Sequence, residues 1–149
     1  MKRTILAAAV LFASFAAPVS GQTPGADFKT FFQNYAQAFN KGDSHALATQ
    51  FYDEPGASPA DMEARLGKEI AALRADEFGK MNLFSTTACP KGSGAARVQV
   101  SFEYQYTYGG QMPPGDQSRV FDLIAVKDGW RIVGSEDLKP GQTFVCPKQ

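Results

Sequence analysis

Along residues 97–108 apolar and polar side chains change places at every step. Val98, Val100, Phe102, Tyr104, Tyr106 and Tyr108 fall on one side of an extended backbone, and Arg97, Gln99, Ser101, Glu103, Gln105 and Thr107 on the other. A period of two over that length predicts a long β-strand with one aromatic, buried face and one polar face. Such a strand must lay its rings against something, and the rest of the chain supplies candidates.

Upstream the period is helical. Phe28, Phe31, Phe32, Tyr35 and Phe39 recur every three or four residues, which predicts a first helix capped by Asp27 and ended by Gly42, behind a short polar leader at Thr23–Ala26. Asp43 then caps a short second helix through Ala46, Leu47 and Ala48, and Phe51-Tyr52 reads as a brief strand or a buried exit. After the turn-rich Asp53–Ala57, Ser58 stands at a cap position and Pro59 at the first helical one. That third helix carries Met62, Leu66, Ile70 and Leu73 inward and ends near Phe78-Gly79.

Downstream, Lys80–Ala88 reads as a strand, Lys91-Gly92-Ser93-Gly94 as a turn, and Gly109–Gly115 as a loop. Arg119–Lys127 is apolar on both faces except at Asp122, as suits a central strand, and Asp128-Gly129 is a hairpin turn into Trp130–Ser135. Helices first and an antiparallel meander after them predict an α+β fold, with the amphipathic helices covering one side of the sheet.

The N-terminus predicts where the domain works. Lys2 and Arg3 precede an unbroken apolar run from Ile5 to Ala17, and Pro18-Val19-Ser20-Gly21 follows with small residues. This is the order of a secretory signal peptide, with cleavage before Gln22 or near Ala17. A run of about 13 residues spans roughly 20 Å, short of the roughly 30 Å that a membrane anchor needs. Removing 21 residues from 149 leaves 128, enough for a single domain over 22–149. The expected location is periplasmic or secreted, with no membrane association after the signal is removed. In that compartment the even pair Cys89 and Cys146 predicts a disulfide.

Without Lys2 and Arg3, 13 basic residues face 15 acidic ones, scattered singly. There is no basic stripe for nucleic acid. A single histidine and no clustered carboxylates leave a metal without ligands, and no glycine-rich phosphate loop is present, so neither metal nor cofactor is expected. Ser93, in Gly-Ser-Gly, lacks the pattern of a serine nucleophile.

The stretch Tyr35-Ala36-Gln37-Ala38-Phe39-Asn40-Lys41-Gly42-Asp43, then Ala46-Leu47, and the hairpin Phe121–Ile132 around Lys127-Asp128-Gly129-Trp130, resemble the nuclear-transport-factor-2-like (NTF2-like) superfamily, which includes SnoaL-like and ketosteroid-isomerase-like proteins. The resemblance implies a strongly curved sheet wrapped around three helices as a cone, with an apolar pocket at its mouth. It also implies a homodimer, formed through the outer sheet face bearing Gln99, Ser101, Glu103 and Gln105.

Because the superfamily spans enzymes, binding proteins and association modules, the site must decide function. Tyr35 stands eight residues before Asp43, where ketosteroid isomerases place an oxyanion-hole tyrosine; it is either that donor or a core tyrosine. Asp122 is either a carboxyl buried in the cone, its pKa raised, or an outward residue paired with an arginine such as Arg119 or Arg131. Where the isomerases carry a base, this chain has Asp53-Glu54-Pro55-Gly56 and turns into a helix, so the isomerase pattern is not met. His45, near a helix start, is read as exposed.

Tyr35, Tyr104, Asp122 and Trp130 are therefore the expected ligand-binding residues. The expected function is a non-catalytic module that binds a small apolar ligand or a partner. The alternative is an isomerase, cyclase or dehydratase acting on a carbonyl substrate with Tyr35 and Asp122.

Overall fold

The computed structural model of the protein describes residues 24–90, 94–108 and 117–146. The signal segment and its cleavage point, Lys91–Ser93 of the predicted turn, and the loop Gly109–Gly115 lie outside the described residues.

Helix α1 spans Pro24–Lys41, α2 spans Ser44–Ala46 and runs on into a π-helical turn at Leu47–Phe51, and α3 spans Pro59–Ala75. The strands are β1 (Phe78–Pro90), β2 (Ala95–Tyr106), β3 (Ser118–Val126) and β4 (Gly129–Asp137), all antiparallel neighbours in the order β1-β2-β3-β4. The arrangement is α+β, as the periodicities predict. Register shifts at Leu83/Ser85 and Asp122/Leu123 break the ladder, and the sheet curves around the helices.

Two boundaries differ from the sequence expectation. Helix α1 begins at Pro24, so Pro24–Ala26 of the expected leader are already helical and Asp27 lies within the first turn instead of capping it. Helix α3 stops at Ala75, and Phe78 opens β1 instead of closing the helix. Phe78 is buried, with its ring 5.9 Å from Phe39 and 5.3 Å from Tyr104, and that packing draws the chain into the sheet two residues early.

The caps predicted for α2 and α3 form. Asp43 accepts from the Ala46 amide at 2.9 Å. Ser58 and Asp61 make a reciprocal capping box, with Pro59 at the first helical position. Gly42 takes a left-handed φ of 74°, and a Cβ there would stand 2.6 Å from the Arg74 guanidinium.

The core lies between α1 and the concave side of the sheet. Phe28, Phe32, Tyr35 and Phe39 on α1 meet Val98, Val100 and Phe102 on β2 and Phe121 and Leu123 on β3. At 25 cal/mol per Å², each buried ring contributes about 2–3 kcal/mol. Of the aromatic run on β2, Tyr108 departs from the expectation: it lies past the strand's end, is 66% exposed, and stacks on Tyr106 at 5.4 Å.

The chain then crosses to the sheet's other side. The Leu138 amide bonds the Ser118 carbonyl at 3.0 Å, and a turn at Lys139–Gln142, with Gly141 at φ 79°, reverses direction. Cys146 is bonded to Cys89, which pairs in register with Arg97 on the outer face and is itself only 2% exposed. The disulfide thus fastens the tail over the convex surface.

Candidate functional site

A cavity of about 470 Å³ opens between α3, the concave face of β2 and β3, and the end of β4. Its floor is aromatic and apolar: Tyr35 and Phe39 from α1, Met81 from β1, Phe102 and Tyr104 from β2, and Phe121 from β3. These side chains converge because α1 repeats every three to four residues and β2 every two, so both periodic faces point at one axis. Its rim is polar, with Glu69 on α3, Asp76 just past the end of α3, Arg119 on β3 and Asp137 at the end of β4.

Tyr35 is almost fully buried, and its hydroxyl lies 3.2 Å from that of Tyr52. Tyr52 follows the π-helical turn and is held by a parallel bridge to Ile132 and by the Asp53 amide donating to the Ile132 carbonyl at 2.8 Å. Burial, and then the neighbouring Tyr52, push Tyr35 well above its ordinary value of 10; burial also raises Tyr52. Both phenols stay protonated. In the pair one hydroxyl donates to the other, which leaves one phenolic proton for a further acceptor.

Arg119 projects from β3 beside this pair. Its Nε donates to Asp137 at 2.7 Å, and Nη1 stands 3.6 Å from Glu69. Burial works against the guanidinium's charge, but the Asp137 hydrogen bond and the charges of Glu69 and Asp137 outweigh it, and the pKa is raised. Glu69, Arg119 and Asp137 also border a smaller polar cavity of about 190 Å³ that contains Tyr52, Glu54 and Arg65. The triad therefore stands between two hollows, one floored by aromatic rings and one polar.

Of the residues singled out in the sequence, Tyr35 and Tyr104 line the larger cavity. Asp122 does not. It sits directly opposite Arg97 in register and pairs with it at 3.2 Å, while Arg97 also pairs with Glu136. Since Phe121 points into the core, strand alternation sends Asp122 to the convex side. The arginine it meets at 3.2 Å is Arg97, on the neighbouring strand. Tyr35 and Asp122 occupy opposite faces of the sheet, so no single oxygen can accept from both.

Trp130 is also outside that cavity. It begins β4, its ring 4.9 Å from Phe28, and borders a shallow groove with Phe31 and Phe51. Seven residues along β4 separate it from Asp137 at the mouth, roughly 23 Å of strand. His45 lies on the surface, 72% exposed at its side chain and 2.9 Å from Glu63.

Sequence reading missed Glu69, Arg119 and Asp137 as a group. Arg119 was placed on a central strand, and the signal available was an arginine two residues before Phe121, hence on the same face. Its carboxylate partners come from α3 and from the end of β4, and only folding joins them.

Among solved structures, this chain is similar to an NTF2-like protein with a cystatin-like fold from Novosphingobium aromaticivorans (19% identity, 73% of this chain and 77% of that one, TM-score 0.54). It is similar to an NTF2-like superfamily protein from Salmonella enterica (17% identity, 79% and 92%, TM-score 0.53). A domain of unknown function with a cystatin-like fold from Nostoc punctiforme matches to a similar degree (16% identity, 76% of each chain, TM-score 0.54). No protein-family model and no curated protein matches. The fold is NTF2-like. Among the described residues no group of histidine, cysteine and carboxylate side chains is arranged to hold a metal ion, and no helix is long and apolar enough to cross a membrane.

Proposed function

We propose that this is an exported, non-catalytic binding module that holds a small, mostly apolar ligand in the mouth of its cone. The observation that carries the reading is the cavity of about 470 Å³, floored by Tyr35, Phe39, Phe102, Tyr104 and Phe121 and rimmed by a single arginine with carboxylates. Ligand sites are concave, with an apolar body and a few fixed polar groups, and this hollow has an aromatic floor, a polar rim and a volume in that range. The separation of Tyr35 from Asp122 favours binding over the carbonyl chemistry that would need both. Export rests on the Met1–Gly21 pattern and agrees with the Cys89–Cys146 disulfide.

The test is native mass spectrometry on the chain purified from a bacterial periplasm, together with thermal-shift screening against a library of small apolar compounds. A co-purified species, or stabilisation that is lost in Tyr104→Ala, is expected. A chain that carries nothing and is stabilised by no compound would remove the reading.

A further inference from the structure

The chemistry of what the cavity takes can be narrowed, on the basis of the ligand-binding reading above. Arg119 is the one basic side chain among the described residues that line the cavity. A guanidinium carries five N–H donors in a fixed fork. Asp137 takes the Nε donor at 2.7 Å, whereas Glu69, at 3.6 Å from Nη1, is beyond hydrogen-bond distance. The terminal nitrogens therefore have donors to spare on a side chain that borders both hollows. An oxygen brought in by a ligand can accept them.

Charge decides which oxygen. The single positive charge of Arg119 already faces Glu69 and Asp137, and Asp76, which caps the end of α3, lines the same cavity. A ligand carboxylate would add a further negative charge to a mouth that is already net negative. In a partly desolvated site that repulsion is stronger than it would be in bulk water. A hydroxyl or carbonyl oxygen accepts from the same donors without it.

We infer that Arg119 selects uncharged ligands, small molecules that present a hydroxyl or carbonyl oxygen, and that Glu69 and Asp137 turn away carboxylates of the same skeleton. Arg119 is in this sense a specificity-determining residue, and its two acidic partners set its sign preference.

The experiment uses two probes with one ring system, 2-naphthylmethanol and 2-naphthoate, titrated calorimetrically into the oxidised mature chain at pH 7. The alcohol is expected to bind on the order of tenfold more tightly than the carboxylate. In Glu69→Gln with Asp137→Asn, which keep an oxygen near the guanidinium but remove both charges, the two affinities are expected to come within about threefold of each other. Circular dichroism verifies that the variant is folded. Equal binding, or tighter binding of 2-naphthoate by the native chain, overturns the inference and leaves the ligand-binding reading standing. A preference that the double variant leaves unchanged also overturns it, because the discrimination then lies elsewhere. Binding of neither probe at millimolar concentration removes both readings.

Discussion

The Asn40 carboxamide exchanges two hydrogen bonds with the backbone of Met81: Nδ2 donates to the Met81 carbonyl at 2.8 Å, and the Met81 amide donates to Oδ1 at 2.7 Å. A single side chain thus gives the outer edge of β1 what a neighbouring strand would give it, and it ties the end of α1 to the sheet at a residue lining the cavity. Replacing Asn40 with Ala leaves two part-buried backbone groups without that partner and should cost about 2–4 kcal/mol in urea unfolding. Asn40→Asp keeps the acceptor but sets a second carboxylate oxygen against the Met81 carbonyl, so it too should destabilise the chain. An Asn40→Ala chain as stable as the parent would show that water replaces the clamp.

The paired hydroxyls of Tyr35 and Tyr52 should be coupled. Tyr35→Phe strands the Tyr52 hydroxyl in a buried position and should cost about 1–2 kcal/mol, as should Tyr52→Phe. The double variant should lose less than the two singles together, since neither polar group is then left alone. Strict additivity in a denaturation cycle would mean that the two hydroxyls do not interact.

His45 offers a pH signature. Its hydrogen bond to Glu63, and then the Glu63 charge, raise its pKa above the ordinary 6.5. A raised value in the folded chain means that the pairing stabilises fully below the unfolded value and fades as pH rises through the folded one. The group is solvent-exposed, so the readout is the titration itself. Imidazole NMR should give a pKa above 6.5 that falls back toward it in Glu63→Gln, and an identical titration in both chains would refute the pairing.

The disulfide closes a loop over a sequence separation of 57, with Cα atoms 5.4 Å apart. Loss of both sulfurs in Cys89→Ser with Cys146→Ser should lower stability by about 4 kcal/mol. The urea midpoint of the parent should fall to that of the variant when reductant is added. No change on reduction would show that the tail is held by other contacts.

Most of the architecture was legible where local patterning and tertiary demand coincide. The β2 alternation, the α1 spacing and the caps at Asp43 and Ser58 all report the environment the chain meets after folding. The Asn-Lys-Gly-Asp stretch was read as a family mark, and its content is structural: Asn40 clamps β1, Gly42 turns the chain, and Asp43 caps the next helix. The start of α1 was hidden because its first turn carries no apolar repeat, and the start of β1 because Phe78 continues the α3 rhythm.

The site was legible only in its floor. Tyr35 and Tyr104 sit on strongly periodic elements, so the direction each points was readable. Asp122 stands on a strand apolar on both faces, so the alternation does not tell its side, and nothing local tells which hollow Trp130 borders. The Glu69–Arg119–Asp137 grouping joins positions far apart in the chain, and charge alone did not mark it out.

The covalent link from Cys89 to Cys146 has a topological result. Strands β2, β3 and β4 all fall inside the ring it closes. While the sulfurs stay joined, the terminal hairpin therefore has no free chain end. Among the described elements, only the helices and β1 up to Ala88 lie outside that ring, so only they can leave the sheet on the end of an open chain.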